Sequence, residues 1–402
     1  MDESKSHKTL HQMAEKFRVP DKSFPSIYLP STHVVFKLLG LPHNLPLMLE
    51  TIENQYDLES NLTRSIKNKM VTTGVSMKHR DSYYNLVKQV IPDDFLFHEC
   101  ELTEVLNRSN TVGSNAGAWL NIIEGFCHSK GRFHDLDKPV IDFIKTRAHI
   151  DLVFLETSKN RQISSEDFIT QTRWVCEFIR SNMNVPKETI DRYLHSVSKI
   201  QSPGDYSSFE HEDVLNILRF KISCEIDFFL AATAIYDSSI DRTFPELNLS
   251  QNYQKILLKY AKEDDIRTIT ESILCVMKDY YEPSLSWSGL ASYLSCAEPK
   301  TTLNKWRKGK EVPSKYQFSR LIENLNLDSD LERFVIYQYF KASVMFDRLI
   351  EKWLKLTEKI SLEFKPQNII IDDNDRIELI KCIFLHVENY YDSFEIENHQ
   401  PE

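Results

Sequence analysis

The sequence predicts an all-α, multi-helix protein. Three observations carry that expectation. Glycine is scarce, nine in 402 residues, and sheets and phosphate-cradling loops both use glycine for positive φ and close backbone approach. Apolar residues recur near the 3.6-residue period along much of the chain. Short polar segments, punctuated by proline, separate those stretches. At 402 residues the chain is long enough for two or three domains, each burying its own core.

Residues 1–30 read as a short helix followed by an irregular connector marked by Pro20, Pro25 and Pro30. Residues 32–69 read as helix, broken near Pro42 and Pro46. Shorter helices follow at 81–90 and 101–107, and stronger ones at 114–125 and 138–157. In the last, Val140, Ile141, Phe143, Ile144, Ile150, Val153, Phe154 and Leu155 recur near the helical period. Ser165 is placed as the N-cap of a helix over 168–183. Pro186 is placed at the first turn of the next, 187–198.

Residues 201–213, QSPGDYSSFEHED, combine Pro-Gly with Ser and Asp and lack an apolar period, which marks a linker. Beyond it, residues 211–236 are apolar on several sides, as a central core helix is. Helices over 253–262 and 265–281 lead into a basic segment. Residues 328–364 read as one long helix or two abutting ones, 368–375 as a turn with a β-prone run at 369–371, and 376–391 as a last helix before an acidic tail. The chain thus divides into an N-terminal mostly helical region (1–110), a helical domain (111–205), core helices (206–264), a module (265–327), and C-terminal helices with the acidic tail (328–402).

Several function classes are excluded on residue pattern. Neither GxGxxG nor GxxxxGK[ST] occurs, so no Rossmann or P-loop site is expected. The cysteines (100, 127, 176, 224, 275, 296 and 382) are far apart and form no CxxC pair, which leaves buried free thiols in a reducing compartment. His134-Asp135 alone cannot complete a metal shell, and His98-Glu99 and His211-Glu212 lack the second histidine of HExxH. No catalytic constellation converges, so no enzyme activity, no cofactor and no metal are expected. The first residues lack the apolar core of a secretory signal, and no run of 18 apolar residues exists, so a cytoplasmic location with no membrane contact is expected.

One segment departs from the rest. The chain carries a net charge of −10, yet residues 284–320 hold seven basic residues (Lys300, Lys305, Arg307, Lys308, Lys310, Lys315 and Arg320) against two acids, Glu298 and Glu311. That is +5 locally, so the remainder carries −15. A positive patch on an acidic chain is the footprint expected of a polyanion site. Within it, residues 287–294 give a short helix with Leu290, Ala291 and Leu294 on a common face. Pro299 opens a second helix over 300–308, in which Leu303 and Trp306 point inward. Thr301, Thr302, Asn304 and Lys305 are left outside. Gly309 offers a left-handed cap, Pro313 stops continuation, and 315–325 forms a third helix on Phe318, Leu321, Ile322 and Leu325.

The pattern Leu290-Ala291-x-x-Leu294, Leu303-Asn304-Lys305-Trp306-Arg307-Lys308-Gly309 and Pro313 resembles the helix-turn-helix of the lambda-repressor/Cro-like (XRE) group. The resemblance is limited to 265–327. It departs from the family at a turn about two residues longer, at Ser295 for a common Gly, at Trp287 for a frequent phosphate-binding Gln, and at Arg307 for a common Glu. The resemblance implies a sequence-specific regulator of double-stranded DNA whose second helix enters the major groove. It assigns DNA contacts to Lys300, Thr301, Thr302, Asn304, Lys305, Arg307, Lys308, Lys310 and Lys315. A two-fold homodimer is expected, paired through the helix over 328–364 or that over 214–230. The alternative is a helical adaptor or scaffold whose module binds a protein partner, since tri-helical units of this spacing also pack without touching nucleic acid. The two readings differ in whether Lys300, Thr301, Asn304, Lys305 and Lys308 share one exposed, unobstructed face.

Overall fold

The computed structural model describes residues 29–39, 50, 53, 62–72, 75–79, 81–82, 115–117, 119–120, 123, 137–160, 168–200, 206–244, 250–281, 284–308, 310–311, 313, 315–325, 330–364 and 369–397. Among them every regular element is a helix and none is a strand, as the glycine scarcity predicts. The chain forms two compact units: residues 1–133 with 141–160, and residues 134–140 with 161–402. Helices expected at 101–107 and within 1–28, the Ser165 cap, and His134-Asp135 lie outside the described residues.

The first unit holds α1 (Thr32–Leu38), α2 (Arg64–Thr72) and most of α3 (Asp137–Asn160). Ser31 caps α1 by accepting the Val34 N–H at 3.3 Å. Trp119 anchors the same end: its indole N–H donates to the Pro30 carbonyl at 2.8 Å, and its ring meets Phe36 edge-on. These bonds satisfy polar groups that burial would otherwise strand.

The second unit holds α4 (Phe168–Asn182), α5 (Lys187–Ser198), α6 (His211–Thr243), α7 (Ser250–Lys262), α8 (Ile269–Tyr281), α9 (Trp287–Ser292), α10 (Pro299–Arg307), α11 (Lys315–Asn324), α12 (Asp330–Phe364), α13 (Asp373–Phe384) and α14 (Val387–Glu397). Its centre is α6, which packs against α5, α7, α12, α13 and α14. The helix starts at a reciprocal capping box between Glu210 and Asp213 and runs seven residues beyond the expected end at 236. Being apolar on several sides, it buries Val214, Leu218, Ile222, Ile226, Leu230, Ala234 and Ile240. It also buries acids. Asp237 accepts hydrogen bonds from Tyr339 of α12 and Tyr391 of α14, so one carboxyl ties three helices. Burial holds that carboxyl well above the ordinary range.

Four expectations need correction. Residues 201–213 do not separate independent domains: α5 and α6 pack together, Tyr193 stacks on Phe220, and Lys199 pairs with Asp213 at 2.8 Å. Pro186 is the N-cap of α5 and does not belong to its first turn. The β-prone run at 369–371 buries Ile369 and Ile371 and exposes Ile370, a strand-like alternation that meets no neighbouring strand among the described residues. The last helix is two, α13 and α14, divided at Leu385 and His386.

Candidate nucleic-acid interface

Helices α8 to α11 correspond to the basic segment and the helix before it. Ser286 caps α9 by accepting the Gly289 N–H at 3.1 Å. Pro299 occupies the first turn of α10, where its missing N–H leaves nothing unpaired. At the far end the Lys310 N–H donates to the Lys305 carbonyl at 2.9 Å. That six-to-one bond is the closure of a Schellman cap; Gly309 itself lies outside the described residues.

The inward face matches the sequence reading. Leu303 and Trp306 are 2% and 1% exposed, against Leu290, Ala291 and Leu294 that are equally buried. Phe318, Leu321, Ile322 and Leu325 of α11 complete the core, and Phe318 stacks on Phe340 of α12. The amide of Asn324 donates to the Tyr293 carbonyl at 2.8 Å, joining α11 to the end of α9. Asp347 of α12 accepts the N–H groups of Ile269 and Thr270 at 2.7 and 2.9 Å, so it caps α8 from another helix. The module is therefore fixed to α12 at two points.

Arg307, which the resemblance assigns to DNA, faces inward. Its guanidinium pairs with the buried Glu271 of α8 at 2.5 Å and lies 3.9 Å over the ring of Trp287 on α9. Its carbonyl accepts from Thr268 at 2.8 Å. One side chain thus joins α8, α9 and α10, which gives both family departures, Trp287 and Arg307, a shared structural role.

The outward face collects Lys300, Thr301, Asn304 and Lys308, all exposed. Their spacing sets them along one stripe of α10. Lys305 flanks that stripe and pairs with Glu311 at 2.5 Å, which raises the pKa of its ammonium. Thr302 is half-buried and accepts from the Cys296 thiol at 3.6 Å. Lys310 is exposed beyond the cap. Lys315 begins α11, and its side chain lies outside the described residues.

Sequence reasoning missed the neighbours of this stripe. Ser288 and Ser292 on α9 and Glu298 before α10 line an open depression with Pro299, Lys300 and Thr301. The signal was present: Ser288 and Ser292 lie four apart on α9, on the side away from its apolar face. The charge is also smaller than the segment suggests. Glu271 engages Arg307, Glu311 engages Lys305 and Glu323 pairs with Arg320, so three of the seven basic residues are held within the protein. Lys300, Lys308 and Lys310 have no ion-pair partner among the described residues.

Other chemistry is sparse. The described residues contain no group of three or more His, Cys, Asp or Glu side chains able to hold a metal ion, and no helix long and apolar enough to cross a membrane. The described cysteines form no disulfide, and burial pushes the thiols of Cys176 and Cys275 up to about 12 and about 11, away from the reactive thiolate. No protein family, curated protein or solved structure matches the chain.

Proposed function

We propose that the chain is a sequence-specific binder of double-stranded DNA, a transcriptional regulator in which α9 and α10 act as a helix-turn-helix. One observation carries this reading. Thr301 and Asn304, uncharged hydrogen-bonding groups, stand exposed between Lys300 and Lys308 on a helix whose other face is locked by Leu303, Trp306 and Arg307. Ammonium groups fix register on phosphates, and short polar groups read base edges. An asparagine suits the N6/N7 edge of adenine, and a threonine either hydrogen-bonds a base or meets the thymine methyl. Ser288 and Ser292 would serve as further phosphate partners at the edge of the groove. Two copies would occupy half-sites about 34–36 Å apart.

The adaptor reading draws support from Glu298 and Glu311, which put carboxylates beside the stripe and make it a mixed-charge surface. Selection of bound fragments from a random duplex pool, at about 50 and about 200 mM salt, separates the two readings. DNA binding by α10 gives an enriched short motif that is lost in Asn304→Ala. An unenriched pool at both salt concentrations supports the adaptor.

A further inference from the structure

We infer that Glu311 is an internal competitor for DNA phosphate, occupying Lys305 so that the interface grips every duplex less tightly. This rests on the DNA-binding reading of α10.

The Lys305–Glu311 pair has little structural work to do. Both side chains are about half exposed, 43% and 48%, and exposed ion pairs contribute little to stability. The turn that carries Glu311 is already closed by backbone bonds, since the N–H groups of Lys310 and Glu311 both reach the Lys305 carbonyl, at 2.9 and 3.5 Å. The pair does determine what a phosphate meets. Lys305 sits on α10 beside Asn304, four residues after Thr301 and three before Lys308. A phosphate arriving there must displace the Glu311 carboxylate or approach it as a like charge. Every duplex meets that barrier, whatever its sequence. Only a duplex with base edges matched to Thr301 and Asn304 gains contacts that offset it. A cost common to all sequences cancels from the specificity ratio; it lowers the absolute affinity for random duplex, so that a matched site is the one still held at low protein concentration.

Arg320–Glu323 on α11 supplies an internal control. It is an ion pair of the same charge type, at 2.9 Å and with side chains 47% and 53% exposed, but it lies outside the α10 stripe.

The test uses the full chain and a fluorescent random-sequence duplex of about 20 base pairs, titrated between about 50 and about 200 mM salt. Lys300, Lys308 and Lys310 together contribute about −2.7 to the parent protein's log–log slope, at about −0.9 per phosphate. Glu311→Gln releases Lys305, steepens the slope by about 0.9 and tightens random-duplex binding about tenfold at the low-salt end. Glu323→Gln changes net charge equally and leaves the slope at the parent value. Adding Lys305→Ala to Glu311→Gln cancels the gain. An unmoved slope in Glu311→Gln, an equal steepening in Glu323→Gln, or a gain that survives Lys305→Ala overturns the inference while leaving DNA binding intact. No binding of any duplex by any variant overturns the inference and the DNA reading together.

Discussion

Trp306 and Asn304 lie two residues apart on α10 and face opposite ways, Trp306 1% exposed in the core and Asn304 on the surface. Trp306→Ala is expected to cost about 3–5 kcal/mol, the range for truncating a buried tryptophan. Asn304→Ala is expected to stay within about 0.5 kcal/mol of the parent and to alter base preference instead. Thermal melts of the two variants check this, and equal losses would mean that the outward and inward faces are exchanged. The direction of Trp306 was legible because Leu303 and Trp306 share a helical face. The direction of Arg307 was not, because its partner Glu271 belongs to a different helix and no local spacing links them. Arg307→Ala strands Glu271 and removes the cover of Trp287. Because the arginine is partly exposed, solvent screening limits the loss to about 2 kcal/mol, whereas Lys308→Ala should leave the melting temperature unchanged.

At the scale of elements, α12 matters most. Its 35 residues give a single rod about 52 Å long, and neither Gly nor Pro interrupts it. The sequence left open whether it was one helix or two, since an unbroken pattern fits both. The division between α13 and α14 was less legible. No breaker residue marks Leu385 and His386, yet Phe384 and Val387 are both fully buried. Packing on α6 and α7 is the visible reason for the turn, and it is a tertiary one.

Asp347 is where α12 meets α8. Burial pushes its carboxyl from an ordinary value of 3.8 up to about 6, against the pull of hydrogen bonds from Thr270 and Ile269. The folded state therefore binds this proton more tightly than the unfolded chain. The associated stability is fully present below the unfolded value of 3.8 and is lost as pH rises through about 6. Two pH units at about 1.4 kcal/mol each amount to about 3 kcal/mol. Asp347→Asn is expected to flatten the stability profile between about pH 4 and about pH 6 relative to the parent. Parallel profiles from chemical denaturation would contradict the assignment.

At the scale of the whole molecule, the all-α class was legible from glycine scarcity and period, and the module core from Leu290, Leu303 and Trp306. The expected pairing surface was not. Phe334 and Leu362 of α12 stay exposed, while Val214, Leu218 and Leu230 of α6, and Val335, Val344, Leu349 and Trp353 of α12, are all buried. Their apolar surface signalled a large core, and sequence alone does not separate a core from an interface. We therefore expect the protein free of DNA to sediment as a monomer at micromolar concentration, and two copies to come together on a duplex carrying two half-sites. A stable dimer without DNA would reveal an interface elsewhere on the surface.

In the proposed reading, the exposed ammonium groups on α10 and just beyond its cap hold duplex DNA. Duplex titrations across salt compare the parent chain with a Lys300→Ala, Lys308→Ala, Lys310→Ala variant. The parent slope on log–log axes is expected to be steeper than the variant's by about 2.7, with the same melting temperature for both proteins. Equal binding by the two, or a parent affinity that does not change between about 50 and about 200 mM salt, would contradict it.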